Sequence, residues 1–137
     1  MFVSFESGLV QLVQSDPTVA SISTGGWLRE LPPKTVLPAW TWFVVTDKPN
    51  VGLIFTTGQT TRLIQVDCFG DTASDTVNLA AAIDNVLNGY SGVLTDTSPP
   101  TVRIQVCYRT DLMDEPFDPD ARNFRRMLEY EVVLSPV

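Results

Sequence analysis

The side chains that usually carry chemistry are few, and their spacing argues against most of it. Histidine is absent, which removes Ser-His-Asp and Cys-His catalysis together with the commonest metal ligand. Cys68 and Cys107 form no Cys-x-x-Cys motif, so zinc-binding and thioredoxin-like readings have no support. A disulfide would need them on neighbouring strands, a geometry the spacing does not fix; two free thiols are expected of a protein made in a cytoplasm. Asp67 and Asp71 could be read as a carboxylate pair for acid–base work. No nucleophile accompanies them, and Asp71 is better explained as a helix cap. The run Asp111, Asp114, Glu115, Asp118, Asp120 invites a calcium reading. It lacks the turn glycine and the closing bidentate glutamate of an EF-hand, so a solvated loop between strands is expected. Gly25-Gly26 is not a phosphate loop, because no strand precedes it and no Lys-Ser or Lys-Thr follows. Trp27, Trp40 and Trp42 could line a ligand pocket, or be core or interface. Arg62, Arg103, Arg109, Arg125 and Arg126 could make a basic stripe at an interface or lumen, or pair across strands with Glu129 and Glu131. No catalytic residue, cofactor or metal is expected.

The elements that must position these groups follow from periodicity. The clearest stretch is Thr61 to Gly89. Ile64, Val66 and Cys68 alternate with Gln65 and Asp67 as a half-buried strand, and Gly70 turns the chain. Asp71 or Thr72 then caps a helix whose apolar stripe is Leu79, Ile83, Val86 and Leu87, closed by Asn88-Gly89. Upstream, Phe5, Leu9, Leu12 and Val13 predict a helix over Ser4 to Gln14, with Gln11 and Gln14 outward. Asp16-Pro17 starts a short helical turn to Ser21. Residues 24–38, broken by Gly25-Gly26, Pro32-Pro33 and Pro38, form a long loop or extended arm. Such segments usually serve a function or bind a partner, although this one could equally wrap its own domain. Strands are predicted over Ala39–Thr46, Val51–Thr57, Thr61–Phe69, Thr101–Arg109 and Phe124–Leu134. Turns are expected at Asp47-Lys48-Pro49-Asn50 and Gly58-Gln59, and a polar loop over Ser91–Pro100. In the strand at 101, Val102, Ile104, Val106 and Tyr108 are expected inward. The fold class is α+β: an antiparallel sheet of about four to five strands, two amphipathic helices on one face, order α-β-β-β-α-β-β.

The length of 137 residues suits a single domain, 1–137, carrying the arm at 24–38. The formal charge of −7 disfavours a nucleic-acid reader, though not DNA passing nearby without being gripped. No apolar run approaches the ~20 residues of a membrane helix. Met1-Phe2-Val3 lacks the basic start of a signal peptide, so a soluble, cytoplasmically made protein is expected.

Several short motifs, taken in order, resemble the tail-completion (tail-terminator) proteins of long-tailed bacteriophages. They are Asp16-Pro17-Thr18-Val19, Gly26-Trp27-Leu28-Arg29 with Leu31-Pro32, the Leu37-Pro38-Ala39-Trp40 entry into a strand, and Arg62 to Phe69 with its helix ending at Leu87-Asn88-Gly89. Asp118-Pro119 and Arg125-Arg126-Met127-Leu128-Glu129-Tyr130 complete the set. Trp40, Trp42 and Cys68 depart from the family pattern. The resemblance implies a non-enzymatic homo-oligomeric ring, commonly hexameric, in the tail or neck of a virion assembled in the host cytoplasm. Its implied partners are itself, the tail tube protein and the head connector protein; DNA would pass through the lumen without specific binding, and no membrane is involved. Such a ring ends tube polymerisation and offers the connector a docking surface. Candidate subunit contacts are Trp27, Leu28, Leu31, Trp40, Trp42, Arg125 and Arg126. The alternatives are a head-to-tail connector component of the neck and, from another class, a small-ligand-binding α+β domain.

Overall fold

A computed structural model describes residues 3–51, 56–95 and 102–137. In chain order the elements are α1 (Val3–Gln14), α2 (Pro17–Ile22), β1 (Gly26–Leu28), β2 (Ala39–Val51), β3 (Thr56–Gly70), α3 (Ala73–Leu87), β4 (Gly92–Val93), β5 (Val102–Asp118) and β6 (Asn123–Pro136). The helix starts follow from their caps. The Asp16 carboxylate accepts from the N–H groups of Thr18 and Val19 at 3.1 and 3.2 Å, with Pro17 in the first helical position. At α3 the cap is Thr72, whose hydroxyl accepts from Asp75 N–H at 3.2 Å; Asp71 is an exposed residue of the bend, not the cap expected of it. Gly89 stops α3 with φ +87°, a conformation that costs glycine little.

The class is α+β as expected, with three differences. Among the described residues there are six strands, ordered β1-β2-β3-β6-β5-β4, and three helices. The third difference is β1, taken from the arm, which pairs parallel to β2 (Gly26 beside Trp40, Leu28 beside Trp42) while the other pairings are antiparallel. The core lies between the helices and one sheet face. Phe5, Leu9 and Val13 of α1 and Leu79, Ile83 and Leu87 of α3 join Trp40, Trp42, Ile64, Val66, Leu128, Tyr130 and Val132 in one buried cluster. Phe5 meets Trp42 edge-on, ring centroids 5.5 Å apart.

The strands run longer than their sequence pattern suggests. Asp47-Lys48-Pro49, expected in a turn, extends β2, and Gly58-Gln59 lies inside β3. The strand expected over 51–57 has no separate existence at its ends, which belong to β2 and β3; residues 52–55 lie outside the described residues. The acidic run is likewise strand rather than loop as far as Asp118, where β5 ends beside β6, and only Asp120 lies in the turn. Part of the loop expected over 91–100 is β4, and its residues 96–100 lie outside the described residues.

A bulge at Gln105 overturns the inward set read for β5. Ile104 faces Leu134, yet Val106 faces Val133, so the phase of the strand shifts by one. Val102, Ile104 and Cys107 are buried, while Val106 and Tyr108 turn to the opposite face and are about 40% exposed. Cys68 and Cys107 are free and buried, on strands separated by β6. Burial pushes the Cys107 thiol up to about 12, helped by the nearby Asp84 carboxylate, and raises Cys68 further. Both are protonated and poor nucleophiles at neutral pH.

Candidate assembly interface

Among the described residues the helices cover one face of the sheet and leave the other bare of helices. Across β2-β3-β6-β5 that bare face presents Phe43, Gln65, Glu129 and Asp111 in one row, and Thr41, Asp67, Met127 and Met113 in the next. Large apolar groups are exposed on the strands there, including Val45, Val106, Tyr108 and Met113. Nearer the β5–β6 turn, Phe117 stacks obliquely on Phe124 with centroids 4.9 Å apart. Asp67 is nearly buried on the bare face. Its carboxylate accepts from Arg125 Nη2 and from Gln65 Nε2, both at 2.9 Å, and the Arg125 guanidinium lies 5.6 Å from the Phe69 ring centre. Tyr108 is held protonated by its hydrogen bond to Glu131. Asp67 and Asp71 therefore form no catalytic pair: one is tied to Arg125, and the other is exposed in the bend.

The arm is clamped at its base and exposed at its tip. Thr24 N–H donates to Pro38 O at 3.0 Å, the Thr24 hydroxyl to Val36 O at 2.6 Å, and Arg29 N–H to Trp42 O at 2.8 Å. Gly26 is required at the clamp, because a Cβ there would run into the buried Trp40 indole. Leu28, Arg29 and Val36 at the clamp and Lys34 beyond it are exposed, with Arg29 and Lys34 in the left-handed region (φ 75° and 62°).

The structure separates the residues proposed as subunit contacts. Trp40 and Trp42 have no exposed surface, so neither can touch a neighbour; they are core. Trp40 Nε1 donates to Gln14 Oε1 at 3.0 Å, which also turns Gln14 inward rather than outward. Trp27 and Leu31 are half-buried in the arm. Arg125 and Arg126 are strand neighbours and point to opposite faces. Arg126 makes a two-point pair with Asp114, at 2.6 and 2.9 Å, whose hydrogen bond holds that carboxyl below its usual range. The arginines do not build a stripe. Arg62 pairs with Glu6 and Asp47, Arg109 with Asp84, Arg125 with Asp67 and Arg126 with Asp114, none of them with Glu129 or Glu131.

Asp84 had no signal in the pattern beyond its place on an outer helical turn. It ties α3 to the sheet: Oδ1 accepts from the buried Tyr130 hydroxyl at 2.7 Å and Oδ2 from Arg109 Nη1 at 3.1 Å. Burial first, then this bond, raises the Tyr130 pKa. Among the described residues no three acidic, histidine or cysteine side chains gather as a metal site. Among the described residues no helix is long and apolar enough to cross a membrane.

The sequence model of the family described as "Tail completion protein gp17" matches residues 7–135. The chain belongs to that family. Among solved structures, this tail completion family member resembles a chain from the "Virion of native gene transfer agent (GTA) particle", with a TM-score of 0.67. The likeness covers 94% of this chain and 92% of that one at 14% identity, so it is a likeness of fold. No curated protein matches in sequence. Family membership marks a structural tail protein.

Proposed function

We propose that the protein forms a closed ring, commonly hexameric in this family, at the head-proximal end of a tail. There it ends tail-tube polymerisation and presents the docking surface for the head connector, and it works by shape without making or breaking a bond. What carries the reading is family membership over residues 7–135 on a fold whose sheet has a bare face with exposed apolar side chains. Exposed apolar surface of this kind marks contact sites. Uncovered strand edges are hazards unless a neighbour shields them, and a head-to-tail ring gives every copy the same neighbour. The arm residues Trp27, Leu28 and Leu31 and the β6 arginines Arg125 and Arg126 are the proposed subunit contacts. A net charge of −7 suits a lumen that lets DNA pass without holding it.

The mass of the purified protein by light scattering tests this. A uniform particle several times the 15.1 kDa of one chain is expected. Replacing Trp27 and Leu31 by serine should reduce it to a monomer. A wild type that stays monomeric at all concentrations would refute the ring, and intact rings from the double variant would remove those two residues from the contact.

A further inference from the structure

Asn88-Gly89, which stops α3, is the one dipeptide in the chain whose backbone can readily attack its own side chain. Asn50, Asn78, Asn85 and Asn123 precede Val, Leu, Val and Phe, whose side chains crowd the same approach. In an Asn-Gly pair the glycine nitrogen gives its proton to hydroxide and attacks the asparagine Cγ. A C–N bond closes a five-membered imide, the Cγ–Nδ2 bond breaks, and ammonia leaves with a proton taken from water. Water then opens either imide carbonyl, giving aspartate or an isoaspartate that carries an extra methylene in the main chain.

We propose that Asn88 is a deamidation site gated by the docking of α3 on β5, closed in the folded chain and opened when this corner alone lifts off. Both reacting groups are held. Gly89 N–H donates to Cys107 O at 2.7 Å, and Asn88 Oδ1 accepts from Arg109 N–H at 3.0 Å. A hydrogen-bonded amide proton is shielded from hydroxide until its bond opens. The Arg109 bond taken alone would favour reaction, because it lies where negative charge develops on Oδ1. Proton loss comes first, so the Gly89 bond controls the rate. Asp84 stitches the same corner: its carboxylate accepts from Arg109 Nη1 at 3.1 Å and from the Tyr130 hydroxyl at 2.7 Å. Asn88 and Gly89 are exposed, so hydroxide and water reach them once the corner lifts, with the core behind Leu87 still closed. The change is one-way. An isoaspartate at 88 lengthens the main chain between side chain and Gly89, so Cys107 O and Arg109 N–H can no longer both be met in the observed geometry.

None of this depends on ring formation. The purified full chain is held in mildly alkaline buffer, folded or in urea, and conversion at Asn88 is followed by peptide mass spectrometry, with the other asparagines as internal controls. The folded chain should convert at least about tenfold more slowly than the unfolded one, and as often as the Gly89 amide opens to hydrogen exchange. Asp84→Ala cuts the ties to Arg109 and Tyr130 and should speed conversion in the folded chain more than Trp40→Ala, which loosens the core elsewhere. Equal rates in the folded and unfolded wild type would overturn the protection. An Asp84→Ala rate no higher than wild type, or lower than that of Trp40→Ala, would overturn the local gate. Should Asp84→Ala fail to fold, wild-type exchange decides the same point: a Gly89 amide that exchanges only with global unfolding would overturn the gate.

Discussion

Replacing Trp40 by alanine should lower the free energy of unfolding by about 3–5 kcal/mol, the range for emptying a fully buried large aromatic site. Trp40 has no exposed surface, and its indole reaches α1 through the bond to Gln14. It also fills the space beside Gly26, where the arm joins the sheet. Three parts of the molecule meet on one side chain, so the site has little freedom to collapse around the cavity. Denaturant titration reads the result: the midpoint should fall with an unchanged slope. Gly26→Ala presses the same contact from the other side and should cost about 1–3 kcal/mol by overpacking. A Trp40 variant with wild-type stability that no longer associates would return the residue to a subunit interface and contradict its placement in the core.

The second large effect is expected at Asp84. Asp84→Ala removes the acceptor of the buried Tyr130 hydroxyl and the partner of Arg109 together. A hydrogen bond to a charged group contributes about 1.5–3 kcal/mol, and leaving a buried donor unsatisfied costs its desolvation, so a loss of about 2–3 kcal/mol is expected. The mechanism predicts non-additivity. In a Tyr130→Phe background no hydroxyl remains to be stranded, and Asp84→Ala should cost at least 1 kcal/mol less, by the usual size of such couplings. Additive losses would show that Asp84 does not act through Tyr130.

Where burial was one-sided and regular, the fold was legible from the residues. Ile64, Val66 and Cys68 alternate and Leu79, Ile83 and Leu87 recur at helical spacing because each set faces the same core. Asp16-Pro17 announced α2 through a mechanism that needs no tertiary context. The misreadings share a cause. Over Asp47–Pro49 and around Pro116 the strands are exposed enough that no alternation is imposed, and proline is tolerated there because the strand has a free edge. The bulge at Gln105 had no local signature, yet it exchanged the faces of Val106 and Cys107. β1 takes its pairing entirely from β2, which no pattern in three residues could disclose. Of the candidate contacts, the sequence singled out the arm. It could not tell tryptophans that fill a core from tryptophans that meet a neighbour, since both look alike on a strand.

The most direct measurement follows the protein to its place of work. Particles produced with a stop codon in this reading frame, imaged by electron microscopy, should show tails of uncontrolled length and full heads left unjoined, both reversed when the chain is supplied in trans. Virions of normal tail length with heads attached, made without it, would contradict a role in completing the tail.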